Sequence, residues 1–176
     1  IWDWASLMRV AGWQRGDVTT FDQIKEFIGK QKKLLFEPGS KAEYSASNYS
    51  LLAEIVTRIE DKPFRLWMRQ KIFMPLKMRH SLVRDRHFEP VDNQAFPYNY
   101  NRMVGYERTG DNISALGSHC VFTSVEDMKL WPQNLETGKL GGPELAKKLF
   151  TEGKLNDGKP SGYVRGWKVE NYKGHK

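Results

Sequence analysis

With one cysteine, Cys120, the chain can close no internal disulfide. Its four histidines, His80, His87, His119 and His175, are scattered without metal-ligand spacing, so no structural metal is expected. No run approaches the ~20 apolar residues of a membrane-spanning helix. Zinc-finger, RRM and KH patterns are absent, and the formal charge of +7 is spread among acidic residues, as in Arg58-Ile59-Glu60-Asp61-Lys62. Such a surface favours anionic surfaces or substrates without specifying a nucleic acid, and no nucleic-acid partner is expected. There is no internal repeat, low-complexity segment or Pro/Gly/Ser-rich linker. Ile1-Trp2-Asp3-Trp4 carries neither an initiator Met nor a targeting pattern. The chain reads as an internal piece of a longer protein.

At 176 residues, with 39% hydrophobic and 12% aromatic content, it is long enough for one domain with a core. Phe21 to Ile28 has apolar residues at helical spacing after a cap at Thr19 or Thr20. From about Tyr49, a stripe of Tyr49, Leu52, Ile55, Val56 and Ile59 predicts a helix that buries those side chains and ends at Pro63. Phe64 to Phe73 predicts another, with Phe64, Trp67, Met68 and Ile72 inward and Pro75 as its stop. His80 to Asn112 is loop-rich, with an aromatic cluster of Phe96, Tyr98, Tyr100 and Tyr106 that either packs or carries function. Thr123-Ser124-Val125-Glu126 reads as a capping box with Thr123 as the cap. The helix it opens should kink or end at Pro132. A short helix follows Gly141-Gly142-Pro143. Gly162 to Val169 alternates like a single strand, and Asn171 to Gly174 like a turn.

Four stretches stand out: Pro38-Gly39-Ser40, then Tyr44-Ser45-Ala46-Ser47-Asn48-Tyr49-Ser50-Leu51-Leu52, then Asp61-Lys62-Pro63-Phe64, and last Ile72-Phe73-Met74-Pro75-Leu76-Lys77-Met78. Together they resemble the serine β-lactamase and penicillin-binding-protein superfamily, in its branch of class C enzymes, DD-peptidases and related esterases. Members of that branch commonly read PGT, YSN-x-x-Y-x-LLG, GKPF and I-x-x-PLGM in this order. The resemblance implies an α/β fold of the β-lactamase/transpeptidase type, a helical lobe beside an antiparallel sheet. Residues 1–115 would supply mainly the helical lobe and 116–176 the start of the C-terminal α/β portion. It also implies serine acyl-enzyme chemistry without cofactor or metal, on β-lactams, D-amino-acid peptides or esters. A location in the cell envelope, periplasm or outside the cell would go with it.

Tyr44 falls at the family's catalytic tyrosine, which shuttles the nucleophile's proton. A phenol becomes a base near neutral pH only beside cations. The family draws those cations from Ser-x-x-Lys and Lys-Thr-Gly elements, and neither of these, nor His-x-Gly, occurs in the 176 residues. The chain by itself is therefore expected to be inert. Ala46 stands where the family usually has Asn, and a methyl group can neither donate nor accept a hydrogen bond. Asn48 is the substitute candidate for binding substrate, although it also matches a position where relatives have Asn or Gly. Trp4, in the stretch that follows the family's nucleophile helix, is a candidate for shaping the pocket, with aromatic core packing as the competing reading. Ser118-His119 lies in an expected extended segment, where adjacent side chains point opposite ways and make no working pair. Lys77 and Asp61 stand where relatives have glycines free to take positive φ. A non-catalytic binding or scaffold protein on the same fold is the rival reading, and Ala46 is its best argument.

Overall fold

The structure, a computed structural model, describes every residue except Arg15, Asp111, Val169, Asn171 and residues 174–176, with Lys168 described by its backbone alone. The chain opens with α1 (Trp4–Val10), α2 (Phe21–Gly29) and α3 (Ala46–Glu60). Next come α4 (Phe64–Met68), a π-helical stretch (Arg69–Phe73) and α5 (Met74–Leu76). The strands β1 (Leu82–Val83), β2 (Tyr98–Asn101), β3 (Gly105–Arg108) and β4 (Val121–Phe122) precede α6 (Val125–Thr137) and α7 (Gly142–Phe150), and β5 (Tyr163–Val164) and β6 (Trp167–Lys168) close the order. Among the described residues the strands pair antiparallel in twos, β1 with β4, β2 with β3 and β5 with β6. Helices carry most of the core.

Among the described residues, two apolar clusters flank α3. One joins Trp4 and Met8 of α1, Ile24 and Ile28 of α2, Ala46 and Ala115. The other joins Ala53 with Phe73, Leu76, Met78, Val83 and Leu116. The residues α3 buries are thus Ala46, Ser47, Ser50 and Ala53, all small, which lets neighbouring backbone approach closely. Leu52, Ile55 and Ile59, expected to face the core, are 51%, 48% and 77% exposed. Apolar periodicity correctly marked a helix there, but the face with small side chains makes the tighter contact. The helix also starts three residues earlier than Tyr49, at Ala46.

Local chemistry explains most of the boundaries. Thr20 caps α2, its Oγ1 accepting the Gln23 amide while Gln23 Oε1 accepts the Thr20 N–H at 2.8 Å. The widened π-helical turns lie immediately before Met74-Pro75, where a regular helix would drive the proline ring into the Lys71 carbonyl. Pro75 therefore sits inside the first turn of α5 and is not the stop. The stop is Lys77, left-handed at φ 62°, with the Met78 N–H donating to Phe73 O at 2.8 Å. Asp61 ends α3 the same way at φ 46°.

For α6 the cap is Ser124, whose hydroxyl accepts the Asp127 amide at 3.2 Å, one residue later than expected; Thr123 Oγ1 lies 2.7 Å from Ser81 Oγ instead. Pro132 neither ends this helix nor stops it short of Thr137. The expected single strand over Gly162 to Val169 is a hairpin: Val164 pairs with Trp167 across Arg165-Gly166, both at positive φ. Val169 itself, with Asn171 and Gly174 of the expected turn, lies outside the described residues.

Candidate active-site cleft

The segment between Gly39 and α3 is irregular until Ser45, whose extended backbone (φ −151°, ψ 114°) turns the chain into the helix. Tyr44 is 68% exposed, on the wall of a cleft of about 590 Å³. Asn48, in the first turn of α3, lines the same cleft, as does Ala46 at the border between cleft and core. Lys41 lies at its rim, paired with Glu43 at 3.1 Å and set 4.8 Å from the centre of the Phe36 ring. Trp4 is not in this cleft. It is buried among Met8, Ile24 and Ala46, with its ring edge-on to His119 at 5.9 Å between centroids.

Opposite α3, residues 115–120 contribute a tight turn. The His119 N–H donates to Ala115 O at 2.8 Å, and Gly117 (φ 81°) and Cys120 (φ 76°) are left-handed. This corrects the extended segment expected from the sequence. The Ser118 hydroxyl lines the cleft with His119 Nδ1 at 3.2 Å and the buried Ser50 Oγ at 3.1 Å. Two hydroxyls and an imidazole thus form a hydrogen-bonding chain from the interior of α3 to an exposed ring, able to donate to or accept from a polar group in the cleft.

The β5–β6 hairpin supplies the remaining wall through Tyr163 and Gly166. Gly166 stands against the Tyr49 phenol, and a Cβ there would come within 2.7 Å of the Tyr49 Oη. Burial pushes the Tyr49 hydroxyl above the ordinary phenol range. A second latch ties the approach to the hairpin to the start of the tyrosine segment: the Asn156 N–H donates to Gly39 O at 2.8 Å and its amide to Pro38 O at 3.0 Å. Among the described residues no cluster of three His, Cys, Asp or Glu side chains could hold a metal ion.

The family profile described as Beta-lactamase matches residues 8–175. The chain belongs to the beta-lactamase family. Among relatives, it is 28% identical over 147 residues to the penicillin-binding protein PbpX of Bacillus subtilis, a match covering 78% of this chain and 34% of that protein. It is 24% identical over 150 residues to the D-aminopeptidase of Brucella ovis, covering 85% of this chain and 28% of the other. The chain thus spans about a third of the length of these relatives. Of solved structures, the octameric penicillin-binding protein homologue from Pyrococcus abyssi superposes with a TM-score of 0.70 at 18% identity, over 85% of this chain and 34% of the other. A D-stereospecific amidohydrolase from Streptomyces gives a TM-score of 0.71 at 17% identity, over 89% of this chain and 49% of that one. The fold is that of the β-lactamase/transpeptidase group, here rich in helix.

Within this beta-lactamase-family chain the structure brings Tyr44 and Asn48 to one cleft and places Trp4 outside it. It adds Ser118, Tyr163 and Gly166, which the sequence reading had not assigned to a site. The available signal was the glycine pair: Gly117 and Gly166 both adopt positive φ beside α3.

Proposed function

We propose that this chain is part of a serine hydrolase that works through an acyl-enzyme on β-lactams, D-amino-acid peptides or esters. The observation that carries the reading is the family's tyrosine position, Tyr44, exposed on the wall of a cleft whose other side holds the Ser118 hydroxyl. A serine oxygen would attack the carbonyl carbon, the bond to the leaving group would break, and water would release the acyl group. Tyr44 would pass the proton from nucleophile to leaving group. The 176 residues contain no Ser-x-x-Lys, so on this reading the nucleophile comes from sequence beyond them and the chain alone is inert. The names of the relatives, a D-aminopeptidase and a D-stereospecific amidohydrolase among them, support amides of D-amino acids as the first substrates to try.

The test has two arms. The 176-residue chain should hydrolyse nitrocefin and p-nitrophenyl esters no faster than buffer. The protein expressed from its own gene should be acylated by a fluorescent penicillin or turn over a D-amino-acid amide, and Tyr44→Phe should reduce the rate by about 10²–10⁴. One observation favours a second reading, a binding protein without catalysis: Ala46 offers no amide at the family's Asn position. A natural protein that binds penicillin reversibly and is never acylated would establish that alternative.

A further inference from the structure

Ser45 occupies the N-cap of α3 yet makes no capping bond, and its hydroxyl is buried without a partner. The capping of α3 comes from 43 residues upstream: Asp3 Oδ2 accepts the Ala46 N–H at 2.8 Å. The other oxygen of the same carboxylate caps α1, Oδ1 accepting the Ala5 N–H at 3.0 Å and the Ser6 N–H at 3.3 Å. One carboxylate therefore joins two helix N-termini, where negative charge is favoured by the exposed amides and the helix dipoles. The adjoining residue tightens the joint, since the fully buried Ser47 hydroxyl donates to Trp2 O at 2.8 Å and the Trp2 N–H donates to Gln31 Oε1 at 2.8 Å.

We propose that Asp3 is a positioning residue for Tyr44, its two oxygens fixing the Tyr44-Ser45-Ala46 turn to α1 and thereby setting where the Tyr44 hydroxyl stands in the cleft. Only Ser45 separates Tyr44 from the clamped amide, so displacement of Ala46 carries directly to the tyrosine. The consequence for catalysis rests on the serine-hydrolase reading above; the clamp itself does not.

Asp3→Ser tests it cleanly. Serine caps α1 equally well but is too short to reach Ala46, so the first helix keeps its cap and the joint is lost. Asp3→Asn, nearly isosteric, leaves one acceptor oxygen for two helices. In Asp3→Ser, amide exchange at Ala46 should rise by about tenfold or more while that of Ala53, in mid-helix, holds; in Asp3→Asn the rise should fall either on Ala46 or on Ala5 and Ser6, whichever helix loses the oxygen. In the protein expressed from its own gene, kcat on a D-amino-acid amide should fall about 10- to 100-fold with KM within about twofold. Unchanged exchange at Ala46 in Asp3→Ser overturns the clamp. A lowered Tm with unchanged kcat per folded molecule, in a wild type that Tyr44→Phe inactivates, makes Asp3 merely structural and overturns the positioning role. An inert wild type removes the catalytic reading instead, and exchange at Ala46 then decides the proposal alone.

Discussion

Gly117 sits with its α-carbon against the carbonyl of Tyr49: a Cβ there would lie 2.2 Å from that oxygen and 2.8 Å from the Ala53 methyl. Its φ of 81° is a second reason for glycine. This contact seats the turn that carries Ser118 on the buried face of α3. Gly117→Ala should therefore cost about 2–4 kcal/mol, steric overpacking added to a left-handed backbone, as read by urea unfolding. A loss under about 1 kcal/mol would mean that the turn is not held on the helix.

Lys77 and Asp61 make the opposite case. Both are left-handed helix C-caps, at φ 62° and 46°, in positions where glycine pays no Cβ penalty. Lys77→Gly should stabilise the protein by up to about 1 kcal/mol, and Asp61→Gly by less, because Asp tolerates this region better. Chemical denaturation of the two variants gives the order directly. A destabilised Lys77→Gly would show that the lysine side chain contributes more than its backbone costs.

Asp127 is 4% exposed and ties α6 to the start of β1: its Oδ2 accepts the His80 N–H and the Ser81 hydroxyl, both at 2.7 Å. Asp127→Ala would leave the His80 amide without its acceptor and the Ser81 hydroxyl with only Thr123 Oγ1 to turn to. The expected loss is about 3 kcal/mol, with loosened amide protection near Val83. Asp127→Asn, which retains one acceptor oxygen, should lose less. Equal losses would show that the single amide oxygen of Asn cannot serve the two donors and that the carboxylate itself is required at this position.

How much of this was legible in the sequence depended on whether the signal was local. A cap at Thr19 or Thr20, and the glycine-like positions of Asp61 and Lys77, are short-range features, and the structure has them, with Thr20 as the cap and Gln23 as its partner. The buried face of α3 was misread because it is chosen by what packs against the helix, and small residues at Ala46, Ser47, Ser50 and Ala53 carry no strong apolar signal. Ser118 and His119 were misread because two left-handed residues, Gly117 and Cys120, convert an extended run into a turn. The Asp3–Ala46 bond spans 43 residues, and no pattern in a single sequence announces it. Tyr44 is singled out only by the motif around it; the structure adds that it lines the cleft, and its catalytic role is the proposal made above.

The acid range offers a test of the α2–α3 junction. Glu54 on α3 accepts from Arg58 Nε at 2.8 Å and lies 3.5 Å from Lys25 Nζ of α2. The Arg58 hydrogen bond, aided by the Lys25 charge and opposed by burial, holds its carboxyl below the ordinary Glu value. A depressed folded-state pKa means that the folded protein holds the charged form more strongly than the unfolded chain does. The stability so contributed is present above the ordinary Glu value of 4.5 and is lost as pH falls through the lower folded-state value. Lys25 is raised, chiefly by its hydrogen bond to Asp22, so its own proton comes off only on the alkaline side and leaves the acid window clear. Glu54→Gln should thus be less stable than wild type at pH 7, and the gap should close by about pH 3. Arg58 is 77% exposed, so added salt should narrow the pH 7 gap as well. Urea midpoints of both proteins at the two pH values measure this, and a gap equal at pH 7 and pH 3 would assign the effect to side-chain packing and not to charge.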